Sequence, residues 1–107
     1  MLVLIAGITG FVGVPCAKAA ITRGYQVRGL ARDASKLPGE ILDRLEGFET
    51  MFDYYDISAF DRAVAGVDVI VNTMTSVPES VMEGQLLLIR AAERAGVKVH
   101  LYTTGDA

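Results

Sequence analysis

Apolar runs of strand length recur along the chain, separated by segments with helical spacing. Leu2, Val3, Leu4 and Ile5 form one unbroken run, and Val69, Ile70 and Val71 form another. Continuous apolar runs bounded by turn residues mark strands covered on both faces, as in a parallel sheet. Five strands are predicted, over 2–6, 26–31, 49–52, 68–72 and 98–103. Between the first two, residues 11–23 read as a helix ended by Gly24, a residue suited to the left-handed position after a helix. Pro15 lies near its start, where a missing backbone donor costs little. The clearest helix is predicted over 78–95: Pro78 opens it, Val81, Gln85, Leu88, Ile89 and Ala92 make one stripe, and Gly96 closes it. Gly84 inside it lowers helical propensity by about 1 kcal/mol relative to alanine. Shorter helices are predicted over 40–45 and 58–64, the second with Asp61 and Arg62 on its wet side.

Strands alternating with helical crossovers imply right-handed βαβ units and a doubly wound α/β sheet with helices on both faces. The predicted fold is a Rossmann-type parallel sheet of five strands in the order 3-2-1-4-5, with a crevice at the carboxyl ends of the strands where the order reverses. All 107 residues fit one domain. A six-stranded sheet of this kind needs a further helix and strand. The chain is therefore read as the amino-terminal part of a longer enzyme, with a minimal five-stranded domain as the alternative.

Composition narrows the functional classes. Hydrophobic residues make up 51% and charged residues 21%, the balance of a globular protein rather than a disordered one. A net charge of -3 provides no basic field, so nucleic acid is not an expected partner. The single cysteine, Cys16, cannot form an internal disulfide, and the sequence has no metal-ligand spacing. The apolar opening is too short to span a membrane and lacks the features of a signal peptide, so no membrane association and a cytoplasmic location are expected.

The chemistry begins at Gly7-Ile8-Thr9-Gly10-Phe11-Val12-Gly13, between the first strand and the first helix. Three glycines in that position suit a phosphate-binding turn. Gly7 supplies the turn conformation, Gly10 lets the backbone approach a pyrophosphate, and Gly13 lets the helix close on the sheet. The helix amino terminus then offers free N–H groups and the positive end of its dipole. At the end of the second strand, where a carboxylate would bind a ribose 2′-hydroxyl, stands Arg32, with Lys36 beyond it. A guanidinium there suits a 2′-phosphate, which favours NADP over NAD; Asp33 beside it would repel that phosphate unless turned away.

The glycine turn, Leu30-Ala31-Arg32-Asp33 with Ser35-Lys36, Asp53-Tyr54-Tyr55-Asp56, and Gly66-Val67-Asp68-Val69-Ile70-Val71 resemble the extended and atypical short-chain dehydrogenase/reductase superfamily, and within it the NmrA-like or isoflavone-reductase-like branch. The resemblance spans nearly the whole chain and the nucleotide-binding half of such proteins. It implies that Gly7, Thr9, Gly10, Phe11, Val12 and Gly13 wrap the pyrophosphate, and that Arg32 and Lys36 meet the 2′-phosphate. It further implies that Asp56 and Ile57 lie at the adenine, and that Thr73, Met74 and Thr75 line the ribose and nicotinamide side. Met74 and Thr75 depart from the small residues common there. Extended members also use a Ser/Thr past the fifth strand and a Tyr-x-x-x-Lys pair. Thr103 and Thr104 fall near the first, with Gly105 at the matching position, and no tyrosine here has a lysine four residues later. No catalytic residue is assigned within the chain.

Other residues have structural explanations. His100 lies within a predicted strand, Cys16 sits among alanines on the first helix, and Met74, Met82 and residues 86–88 suit core packing more than an oligomer surface. Two functions follow. One is the NADP(H)-binding part of a reductase acting on a small organic substrate held by downstream residues, with oligomer formation possible. The other is a non-catalytic NADP sensor of NmrA type.

Overall fold

The computed structural model describes residues 1–74 and 79–102. Strand β1 (Leu2–Ala6) leads to helix α1 (Gly13–Thr22) and β2 (Gln26–Ala31). A single 3-10 turn, Ala34–Lys36, and the short helix α2 (Gly39–Leu42) precede β3 (Gly47–Thr50). Helix α3 (Ile57–Val64), β4 (Val69–Asn72), α4 (Glu79–Ala95) and β5 (Val99–Tyr102) complete the described chain. The five strands form one parallel sheet in the order β3-β2-β1-β4-β5, as the alternation of elements predicts.

The continuous apolar runs are explained by two cores, one on each face of the sheet. Val3 and Ile5 of β1 point to the side where Ile8, Ala17, Val27 and Ile41 gather beneath α1 and α2. Leu4 and Ala6 point to the other, against Leu30, Phe60, Val64, Ile70 and Leu88 beneath α3 and α4. Strand residues alternate between faces, and both faces are dry, so every position in β1 after Leu2 is buried.

Several boundaries differ from expectation. Helix α1 begins at Gly13 rather than at residue 11, because the turn before it extends to Val12: Gly10 N–H donates to the Gly7 carbonyl at 3.0 Å and Val14 N–H to the Gly10 carbonyl at 3.2 Å. Pro15 is thereby the third helical residue, where a backbone donor has no helical partner to lose. Strand β3 spans Gly47–Thr50 instead of 49–52; Met51 turns into the core and Phe52, 87% exposed, into solvent. The earlier start follows from pairing with β2, where Gly47 lies opposite Arg28 and the preceding Glu46 holds the Arg28 side chain. Helix α2 starts a residue earlier than expected and ends at Leu42, while β5 starts at Val99. Pro78 and the end of the expected fifth strand at Thr103 lie outside the described residues. Gly24 has φ +86° after α1, the left-handed position expected of it.

Gly84 is explained by a close approach. A Cβ built there would lie 2.7 Å from both the Cβ and the carbonyl oxygen of Tyr54. Helix α4 lies against the loop after β3 at this point, and a glycine is what the contact admits. Gly84→Ala should therefore lower stability by about 1 to 2 kcal/mol in urea unfolding, despite alanine's better helical propensity. A stabilised variant would show that this contact can relax freely.

No helix among the described residues is long and apolar enough to cross a membrane.

Candidate functional site

The sheet order reverses around β1, which has β2 on one side and β4 on the other. At the carboxyl ends of these strands a crevice of about 340 Å³ opens, bordered by the loops that follow β1, β2, β3 and β4. Its floor begins at the glycine turn. Gly7 has φ +78°, donates its N–H to the Leu30 carbonyl at 2.8 Å, and lies so close to β4 that an added Cβ would be 2.9 Å from Met74 N. Gly13 is more tightly enclosed: a Cβ there would be 2.2 Å from the Gly7 carbonyl oxygen and 2.7 Å from Ile8 Cα. Gly10 differs. Its Cβ would meet one neighbour, the Gly7 carbonyl oxygen at 3.3 Å, and otherwise stand open on the crevice it lines. Thus two glycines close the turn onto the sheet, and the third keeps a surface bare for a ligand to approach the backbone.

Helix α1 starts behind that turn without a side-chain cap. Val12 occupies the capping position and no acidic residue stands in the first turn. Neither a side-chain cap nor an acidic residue of its first turn compensates the positive end of the helix dipole, an arrangement that suits a phosphate.

The opposite side of the turn is closed by β4. Thr73 is buried and donates its hydroxyl to the Ala6 carbonyl at 2.7 Å, while Asn72 Oδ1 accepts the Met74 N–H at 3.0 Å. Gln85 of α4 donates to the Met74 carbonyl. These contacts anchor the segment after β4 against both the glycine turn and the long helix.

The rim after β2 carries the charge. Arg32 and Lys36 both line the crevice. Asp33 lines it too, but its carboxylate is turned into the 3-10 turn, where Oδ1 accepts the Ser35 hydroxyl at 2.7 Å and the Ser35 N–H at 2.9 Å. Those bonds, the hydroxyl first, hold the Asp33 carboxyl below the usual carboxylate range. The ring of Tyr54 lies 5.2 Å from the Arg32 guanidinium carbon, within the range of a cation–π contact.

Of the residues expected at the site, Gly7, Thr9, Gly10, Arg32, Lys36, Thr73 and Met74 are brought together around one crevice. Gly13 and Val12 form the helix entry beside it, and Phe11 projects from the turn with its side chain 99% exposed. Asp56 is occupied structurally, since its Oδ1 caps α3 by accepting the Ala59 N–H at 3.1 Å and its Oδ2 accepts the Phe52 N–H at 2.8 Å. Those two backbone donors, Phe52 first, hold its carboxyl below the usual carboxylate range. Ile57 begins α3 with 47% exposure, and neither it nor Asp56 is among the described residues lining the crevice. Thr75, Thr103, Thr104 and Gly105 lie outside the described residues. Ala31, Met51 and Tyr54 were not anticipated there. Tyr54 had a readable signal, an aromatic set between two turn-forming aspartates, and Gly84 had one as a glycine inside a helix. His100 lies in β5 with Nε2 3.2 Å from the Val97 carbonyl, and Cys16 packs partly buried on the α1 core. Leu86 is exposed while Leu88 is buried, so the apolar run on α4 divides between core and surface.

A parallel 3-2-1-4-5 sheet with a glycine turn feeding an uncapped helix defines a Rossmann-type dinucleotide-binding domain. The chain belongs to the family described as NAD(P)H-binding, whose sequence model matches residues 7–105, and it is an extended short-chain dehydrogenase/reductase-type domain. It is 33% identical to an uncharacterized oxidoreductase of Schizosaccharomyces pombe, over 99% of this chain and 38% of that protein. It is 30% identical to cinnamoyl-CoA reductase 2 of Arabidopsis thaliana, over 96% of this chain and 35% of the reductase. The chain thus spans little more than a third of the length of these curated relatives. Among solved structures, a short-chain dehydrogenase/reductase superfamily protein from Agrobacterium tumefaciens with bound NAD superposes with a TM-score of 0.74 at 26% identity, over 95% of this chain and 32% of that one. The triphenylmethane reductase of Citrobacter sp. complexed with NADP(H) superposes with a TM-score of 0.80 at 21% identity, over 94% of this chain and 36% of that one, a likeness of fold.

Proposed function

We propose that this domain binds NADP(H) in preference to NAD(H), as the cofactor-binding part of a reductase acting on a small organic substrate. The observation that carries this reading is the charge at the end of β2. Arg32 and Lys36 face the crevice, and Asp33, the acidic residue among the described lining, is directed at Ser35. The Asp33 oxygen bonded to Ser35 is engaged away from a ribose 2′-hydroxyl, whereas a 2′-phosphate would find two cations, one of them able to bind it bidentately.

In this reading the α1 amino terminus and the bare backbone at Gly10 hold the pyrophosphate, and Thr73 and Met74 border the path toward the nicotinamide. When bound, the cofactor supplies or accepts hydride. The domain's own residues bind it and orient it. Both cofactor types occur among the structural relatives, so the fold leaves the preference to these side chains. The names of the two curated relatives, an oxidoreductase and a reductase, support an enzymatic role.

The test is calorimetric titration of wild type and Arg32→Ala with NADPH and NADH. Arg32→Ala should weaken NADPH by about 1 to 3 kcal/mol and leave NADH nearly unchanged, as expected for loss of a charged hydrogen-bond partner. Equal losses for both would remove Arg32 from the 2′-phosphate role.

A further inference from the structure

We infer that Tyr54 is a positioning residue for cofactor discrimination: its ring holds Arg32 where a 2′-phosphate would arrive. This rests on the NADP(H) reading above and extends it to a residue that acts through Arg32. Arg32 itself is exposed, and a long exposed side chain samples many rotamers unless something holds it. The structure provides that something. The guanidinium carbon lies 5.2 Å from the Tyr54 ring centroid, and both residues line the crevice.

The ring can serve as a platform because its loop is tied at each end. Asp53 Oδ1 accepts the Tyr55 N–H at 2.9 Å, so the turn closes over Tyr54 itself. Asp56 accepts N–H groups from Phe52 and Ala59, joining the start of the loop to the first turn of α3. The Tyr55 hydroxyl donates to Glu83 of α4 at 2.6 Å, and the adjacent Gly84 lies directly against the Tyr54 backbone and Cβ. The Tyr54 side chain is also partly buried against the core beneath α4. An aromatic face presented from a fixed backbone limits Arg32 to fewer orientations before any ligand binds, which lowers the entropy lost on meeting the phosphate.

The measurement is a double-mutant cycle on the protein, with affinities for NADPH and NADH in each variant. Tyr54→Leu should weaken NADPH by about threefold to fivefold, the size of an exposed cation–π contact, and change NADH little. Tyr54→Phe keeps the aromatic face and should retain the wild-type ratio of the two affinities. In an Arg32→Ala background, Tyr54→Leu should no longer alter that ratio. Equal weakening of NADPH and NADH by Tyr54→Leu would overturn the proposal, assigning the ring to direct contact with the shared part of the cofactor. An unchanged ratio in Tyr54→Leu, with the preference lost in Arg32→Ala, would overturn the role of Tyr54 while leaving the NADP(H) reading intact. A wild-type protein that binds NADH as tightly as NADPH would overturn both. Thermal unfolding of each variant checks the fold, and Tyr54→Met serves as the ring-free variant if leucine is not tolerated.

Discussion

Gly13→Ala is expected to destabilise the domain by about 3 kcal/mol or more, the upper range for overpacking, whereas Gly10→Ala should change stability by less than about 1 kcal/mol. The difference comes from what each new methyl would meet. At position 13 it would lie 2.2 Å from the Gly7 carbonyl oxygen and 2.8 Å from the Ile8 carbonyl carbon, and both neighbours are backbone of the turn that joins β1 to α1. Neither can rotate away as a side chain could. Relief would require α1 to lift from the sheet and uncover Ala17 and the core around Ile5 and Val27. At position 10 the single neighbour, at 3.3 Å, needs to yield by only a few tenths of an ångström.

Binding should show a different pattern. Gly10→Val is expected to stay folded and to lose NADPH and NADH alike, because the added side chain occupies the space where the pyrophosphate would approach the backbone. Urea unfolding combined with calorimetric titration separates the two effects. A folded Gly10→Val protein that keeps both cofactors would exclude the pyrophosphate from this turn.

Arg28→Ala should cost about 2 to 3 kcal/mol at neutral pH, an allowance that already discounts for solvent screening. Arg28 stands in the middle of β2 with its side chain 14% exposed. Its Nε and Nη2 donate to the two carboxylate oxygens of Glu46, each at 2.9 Å. Its Nη1 reaches the carbonyls of Ala63 at 2.7 Å and Ala65 at 2.8 Å, at the end of α3, where carbonyls lack helical partners. One guanidinium therefore joins the start of β3 and the end of α3 to β2. Arg28→Lys should recover less than half of the loss, since one ammonium cannot reproduce both the bidentate pair and the carbonyl contacts.

The Arg28 effect should also depend on pH. The hydrogen bond from Arg28 lowers the Glu46 pKa from its ordinary 4.5. A carboxyl depressed in the folded state contributes stability that is complete above its ordinary value and lost as pH falls through its folded value. The gap between wild type and Arg28→Ala should consequently be widest near neutrality and narrow below about pH 4.5. Urea unfolding at about pH 7 and about pH 3 reads this directly. A gap of equal size at both would place the whole loss in the carbonyl contacts.

The strand and helix pattern, the sheet order and most of the crevice were legible in the sequence because they depend on local signals. Continuous apolar runs such as Leu2 to Ile5 indicate burial on two faces, and three glycines between a strand and a helix indicate a backbone that must turn and be approached closely. Arg32 and Lys36 stood out because their place after β2 follows from the chain alone.

What the sequence by itself determined was therefore the architecture and the chemical character of the site. Tertiary structure decided what each polar residue does there. Asp33 is a neighbour of Arg32 along the chain, yet its carboxylate serves Ser35; Asp56, expected at the adenine, is held by Phe52 and Ala59. Tyr54 meets α4 where Gly84, 30 positions away along the chain, leaves room for its backbone and Cβ. Periodicity encodes which face of an element is buried, since that needs only the geometry of a single strand or helix. Side-chain partners depend on distances between elements, and those exist only once the two cores have closed on the sheet.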